Sequence, residues 1–204
     1  MNRRCRVSMT VLVLSLIGWS LSAADWPQYR GANRDGRSSE TGLLDTWPES
    51  GPEVLWRAQL GSGYSGMAVV DGRVITMFGD QGDEWAAGFD AESGEELWRF
   101  KMGGNFRNDQ GHGPRSTPTV EGGLVYVLGA RSRLFALDAT TGEERWGFDL
   151  EKEFGAKVPQ WGTSTSPLVE GQQLIVDVAG RKDFGLVAFD KSTGDVVWHN
   201  GSHR

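Results

Sequence analysis

Apolar residues in this chain fall in short runs rather than along a helical stripe. No stretch places them convincingly at i, i+3, i+4 and i+7. β-branched and aromatic runs bounded by Gly and Asp predict short strands joined by hairpins. Four such runs fall at residues 67–70, 73–77, 85–89 and 96–100. Four more fall at 116–120, 124–128, 133–137 and 144–148, and a third set at 165–169, 173–178, 185–189 and 196–200. Glu121-Gly122-Gly123 separates the first two runs of the middle set, and Ala139-Thr140-Thr141-Gly142 the last two.

The three sets share one sequence. GFDAESGEELW, ALDATTGEERW and AFDKSTGDVVW carry Asp90, Asp138 and Asp190, then Gly94, Gly142 and Gly194, then Trp98, Trp146 and Trp198. Successive copies are 48 and 52 residues apart. Four antiparallel strands per unit at this period fit a propeller blade better than a β-helix coil or a helical repeat. Within the motif, Gly supplies a positive φ in the last turn. Asp with Thr or Ser hydrogen-bonds the turn backbone. The Trp falls in the outermost strand, where it can pack on the next blade. Burying it contributes at most about 4–6 kcal/mol, from roughly 150–250 Å² at about 25 cal/mol per Å².

Residues 52–61 (PEVLWRAQLG) look like the fourth strand of a blade whose first three strands are missing, with Trp56 in the docking position. The expected fold is therefore all-β: a β-propeller of four-stranded antiparallel blades, about three of them, plus one orphan N-terminal strand. Such a ring cannot close with the usual number of blades. We expect the N-terminal part of a longer protein, with open edges at both ends; a short chain that closes by association is the alternative. The expected division is a leader at 1–24, an extended segment at 25–53 and propeller repeats at 54–204, with blades at about 62–101, 115–149 and 164–200.

The leader reading rests on Arg3, Arg4 and Arg6, the apolar run 11–21 and the small residues Ser22-Ala23-Ala24. The run is too short to span a membrane, so export to the periplasm or beyond is expected, with no membrane span after cleavage. Cys5 is the only cysteine and leaves with the leader, which excludes disulfides, thiolate metal sites and C-x-x-C-H haem attachment in the remainder. The net charge is −6, and −9 without the three leader arginines, a poor basis for binding nucleic acid.

The motif A-x-D-x-x-T-G-x-x-x-W resembles the tryptophan-docking repeat of quinoprotein alcohol dehydrogenase-like, PQQ-binding-like β-propellers. The second and third copies match it fully, and the first departs at Gly88 and Ser93. The segments DWPQYRG at 25–31, GPRSTPT at 113–119 and VPQWG at 158–162 are similar to exported proteins of the same group. The resemblance implies one of two functions. Some members oxidise alcohols with pyrrolo-quinoline quinone and Ca²⁺ on the propeller axis, using an Asp base. Others, similar to the outer-membrane assembly lipoprotein, are scaffolds without cofactor. The disulfide between adjacent cysteines that many of the dehydrogenases use cannot form here.

Candidate chemistry lies in the long loops 101–115 and 150–164, which join one blade to the next across the same face. They carry Asn108, His112, Arg115 and Trp161. Arg115 could clamp a carboxylate or quinone oxygen, or pair with an acid of the neighbouring blade. Trp161 could stack on a planar ligand, or cap the core. His112 has no partner at metal-ligand spacing. Asp80, Asp83 and Glu84 lack calcium-loop spacing and read as solvated loop charges. No catalytic set and no metal site is identified. The expected function is a binding or scaffold module that takes a protein, polysaccharide or small molecule on its loop face. The alternative is a PQQ- and Ca²⁺-dependent dehydrogenase whose catalytic residues lie largely in missing blades.

Overall fold

The computed structural model describes residues 24–180 and 183–201. The leader assigned to 1–24 lies, apart from Ala24, outside the described residues. Twelve strands form three four-stranded antiparallel sheets. The first is β1 (Ala68–Val70), β2 (Arg73–Asp80), β3 (Asp83–Asp90) and β4 (Glu96–Gly104). The second is β5 (Thr119–Glu121), β6 (Leu124–Leu128), β7 (Arg133–Asp138) and β8 (Glu144–Asp149). The third is β9 (Leu168–Glu170), β10 (Gln173–Asp177), β11 (Leu186–Asp190) and β12 (Val196–Asn200). Neighbours in sequence are neighbours in each sheet, as in propeller blades, and the ring is not closed. The edge strands β1, β5 and β9 approach one another on the inside of the arc.

The motif does the same work in each sheet. Asp90, Asp138 and Asp190 accept hydrogen bonds from the next backbone N–H groups, for example Thr140 N at 2.9 Å and Thr141 N at 3.0 Å on Asp138 Oδ1. Register shifts at Gly88/Phe89, Ala136/Leu137 and Ala188/Phe189 place a bulge beside each tryptophan. A bulge re-aims the side chain that follows it, here onto the neighbouring sheet. Trp98 Nε1 donates to Ala139 O at 3.1 Å, and Trp146 Nε1 donates to Lys191 O at 3.2 Å. Each ring lies on a glycine of the partner turn. A Cβ on Gly142 would lie 2.6 Å from Trp98, and φ there is 73°, so both space and backbone call for glycine. Trp98 and Trp146 are 7% and 9% exposed. Trp198 has no following sheet among the described residues and bonds Gln173 Oε1 of its own sheet at 2.8 Å.

Two apolar clusters fill the gaps between sheets, and a third, around Phe78, Ala87 and Phe89, lies on the first sheet against Leu60. Ile75, Met77, Trp98, Val125 and Val127 pack between the first and second. Tyr126, Leu134, Trp146, Leu174 and Phe189 pack between the second and third.

Three expectations are corrected. Residues 52–61 form no strand, because a strand needs a ladder partner and none of the described residues supplies one. The docking survives without it: Trp56 Nε1 donates to Ala91 O at 2.9 Å, and its ring covers Gly94. The second long loop contains a helix, α1 (Leu150–Phe154), capped by Asp149 and ended by Gly155 at φ 66°, which buries Leu150 and Phe154. Asp80, Asp83 and Glu84 are not loop charges. β2 and β3 extend to a tight turn at Gln81-Gly82, and Glu84 is 2% exposed. Its carboxylate accepts from Phe106 N at 3.2 Å and Ala130 N at 3.1 Å, tying the first sheet to the loop and to the second sheet. Asp80 and Asp83 sit near Arg99 and Lys101 of β4.

Candidate functional site

Residues 25–36 belong to no sheet, yet they cross all three inner strands. Trp26 exchanges backbone hydrogen bonds with Val69 of β1, at 2.7 and 2.9 Å. Pro27 O accepts from Val120 N of β5 at 2.8 Å. Arg34 Nη2 donates to Val169 O of β9 at 2.6 Å, and Arg34 pairs with Glu170 at 3.5 Å. Inner strands expose one edge to the axis, and unpaired edge groups need partners. This segment supplies them.

Beside the crossing lies a cavity of about 690 Å³. The N-terminal segment contributes Trp26, Tyr29, Arg30 and Gly36 to its lining. The approaches to the inner strands contribute the rest, including Tyr64, Arg115, Thr117 and Ser164 to Ser166. Gly66, Thr117 and Ser166 each stand two residues ahead of an inner strand, so the repeat sets equivalent positions around the cavity. Thr117 N donates to Ser166 Oγ at 2.9 Å, and Thr119 Oγ1 donates to Pro167 O at 2.6 Å, linking adjacent sheets there.

Of the four residues singled out in the sequence, Arg115 alone lines this cavity. Its guanidinium lies 4.8 Å from the Phe106 ring centroid and 5.5 Å from that of Tyr64. It donates to Gly113 O and, at 2.8 Å, to Gly111 O. Arg115 is thus held by rings and carbonyls rather than by the salt bridge to a neighbouring acid considered above. Asn108 joins the two long loops, its Nδ2 donating to Gln160 O at 2.8 Å. His112 Nδ1 accepts from Asn108 N at 3.2 Å, so this histidine braces its own loop. Trp161 is 57% exposed and does not cap the core. Sequence reasoning passed over Trp26, Tyr29, Arg30 and Tyr64, whose signal was the segment DWPQYRG and the shared offset ahead of each inner strand.

The cavity binds and orients more readily than it moves protons. Its lining holds two guanidiniums, several hydroxyls and three aromatic rings, with no carboxylate, carboxamide or imidazole. Calcium takes about six to eight oxygen ligands, largely carboxylate and carbonyl. The residues of this cavity do not fit a calcium–quinone centre. Among the described residues, no group of three or more His, Cys, Asp and Glu is placed to hold a metal ion. Glu84, the buried acid nearest the loops, has its pKa raised by burial against the lowering pull of the Phe106 and Ala130 N–H groups and of Arg131 and Arg115.

Tandem four-stranded sheets docked by tryptophan onto glycine turns around an axial cavity define a β-propeller of PQQ-like repeats. The chain belongs to the family of outer membrane protein assembly factor BamB, whose family model matches residues 82–203. It is 29% identical over 173 residues to outer membrane protein assembly factor BamB of Nitrosomonas eutropha, covering 82% of this chain and 35% of that protein. It is 32% identical over 105 residues to quinoprotein alcohol dehydrogenase PedH of Pseudomonas putida, covering 50% of this chain and 16% of that protein. The quinohemoprotein alcohol dehydrogenase of Comamonas testosteroni superimposes with a TM-score of 0.58 at 21% identity, over 86% of this chain and 27% of that one. The chain thus spans a minor part of each relative. No helix among the described residues is long and apolar enough to cross a membrane.

Proposed function

We propose that the chain is a binding or scaffold module, exported under the leader-like residues 1–24, whose ligand or partner is taken where the blade-to-blade loops meet the axial cavity. The observation that carries this reading is the cavity lining: guanidinium, hydroxyl and aromatic groups suited to recognition, without a carboxylate or imidazole to act as base. The similarity to proteins named as assembly factors supports it over a longer stretch than the similarity to dehydrogenases does. The second reading, a PQQ-dependent alcohol dehydrogenase, is favoured by the identity to PedH.

The two separate in one assay. The protein is incubated with PQQ and Ca²⁺, and ethanol-dependent dye reduction is measured beside the thermal melt. A binding module gives no dye reduction and no PQQ-induced shift. Ethanol-dependent reduction that requires added PQQ overturns the reading.

A further inference from the structure

We infer that the axial cavity takes a carboxylate-bearing saccharide, a uronate unit at the end of a short sugar chain. This rests on the binding-module reading and names the ligand class of the same site. The first ground is charge. The chain carries −6 overall, yet the cavity lining contains Arg30 and Arg115 and no acidic residue. Arg34, four residues along from Arg30, is neutralised by Glu170 at 3.5 Å. Arg30 meets only the Asp35 carbonyl, at 3.3 Å, among the described residues. Arg30 lines the cavity without an ion pair among the described residues, and guanidinium recognises a carboxylate with a two-pronged fork.

The second ground is preorganisation. Phe106 and Tyr64 flank the Arg115 guanidinium, and the Gly111 and Gly113 carbonyls hold it. An arginine already fixed in place loses little rotamer freedom when it binds. The third ground separates a sugar from a plain carboxylate. Ser164 and Thr165 are exposed in the lining, and Trp26, Tyr29 and Tyr64 line the cavity with them. Hydroxyls matched to ring hydroxyls, with aromatic faces for the C–H face of a pyranose, answer the two kinds of surface a sugar has. The cavity volume lies in the range of small-molecule sites. The chain's net charge of −6 disfavours a long polyanion, so one terminal uronate enters rather than an extended charged polymer.

The test is calorimetric titration with α-1,4-linked trigalacturonate and with maltotriose as the neutral counterpart. Trigalacturonate is expected to bind at least about tenfold more tightly, with affinity falling as salt rises. Arg30→Gln is expected to weaken trigalacturonate by about tenfold, as for loss of one charge-assisted fork. Arg145→Gln, which removes the same charge from an outer strand, is expected to leave it unchanged. Arg30 is exposed, so its substitution leaves the thermal melt intact, which separates lost binding from lost folding. Equal affinity for maltotriose, no effect of Arg30→Gln, or no trigalacturonate binding at millimolar concentration overturns the inference. None of these outcomes touches the binding-module reading, which fails only on PQQ-dependent dye reduction.

Discussion

Trp146→Ala measures what one docking tryptophan contributes. The ring is 9% exposed and sits between the second and third sheets, with centroids of Phe148 at 5.6 Å and of Tyr126 and Phe189 at 6.1 Å. Burial of roughly 150–250 Å² at about 25 cal/mol per Å² bounds the transfer contribution near 4–6 kcal/mol. Tryptophan-to-alanine truncation in cores costs about 3–5 kcal/mol, cavity included. The lost Nε1 hydrogen bond adds about 1 kcal/mol at most, because Lys191 O keeps its bond from Tyr126 OH at 3.0 Å. The expected cost is therefore about 4 kcal/mol. Trp198 lies half-buried with no neighbouring turn among the described residues to cover it, and Trp198→Ala is expected to cost about 1 kcal/mol. Trp56→Ala should fall between the two, since its ring docks on Gly94 without a strand behind it. Urea unfolding followed by far-ultraviolet circular dichroism gives all three costs, provided the slope m is unchanged. A Trp198→Ala cost equal to that of Trp146→Ala, or a Trp146→Ala cost below about 1.5 kcal/mol, refutes inter-sheet docking as the role of the motif.

Further substitutions probe the turn and the buried acid. Gly142→Ala forces a Cβ to 2.6 Å from Trp98 at φ 73°, whereas Gly122→Ala at φ 59° meets nothing within 4 Å. Backbone strain of about 1–2 kcal/mol applies to both, so thermal melts should show Gly142→Ala clearly the worse, and equal shifts would remove the packing argument. Glu84→Gln sets an amide NH₂ against one of the two backbone N–H groups and should cost about 1–3 kcal/mol. Burial raises the Glu84 pKa, so its contribution is fully present below the usual carboxylate range and is lost as pH rises through the raised value. Denaturation midpoints should show wild type losing ground to Glu84→Gln as pH rises, and the opposite slope would contradict the burial argument. The Asp138 carboxyl is lowered to about 2, first by the Arg145 hydrogen bond and then by the Thr140 and Thr141 N–H groups. Its contribution is present above the ordinary value of 3.8 and disappears as pH falls towards 2. Asp138→Asn should flatten that acid limb modestly, because the pair is exposed and screened; an unchanged limb would show that the turn bonds carry no linkage.

The parts of the fold legible in the sequence are those encoded locally. The hairpin around Glu121-Gly122-Gly123 and the Asp138–Gly142 turn depend on residues within a few positions of each other, and strands 124–128 and 196–200 fall where the pattern places them. The parts that were not legible depend on partners distant in sequence. Trp56 showed the docking position, but strand formation at 52–61 needed a ladder partner that the pattern of that segment cannot reveal. Glu84 looks solvated beside Asp80 and Asp83. It is buried because the second sheet brings Ala130 N onto it across 46 residues. Arg115 was chosen for its loop, and it is a lining residue of the cavity. Arg30 was missed because DWPQYRG marks the segment but not its crossing, which depends on Val69, Val120 and Val169 far along the chain.

That crossing couples the fold to the site. β1, β5 and β9 are three residues long, and each meets only one strand of its own sheet. Short edge strands are weakly held, and their free N–H and C=O groups turn towards the axis. Trp26, Pro27 and Arg34 take up those groups at Val69, Val120 and Val169, one per sheet. The same segment places Trp26, Tyr29 and Arg30 in the cavity wall. Lifting it would leave three edges unpaired and strip the cavity of two aromatic rings and the less encumbered of its guanidiniums. A ligand bound to Arg30, as inferred above, would also hold the segment against the inner strands, so it would stabilise the arc as a whole rather than one blade.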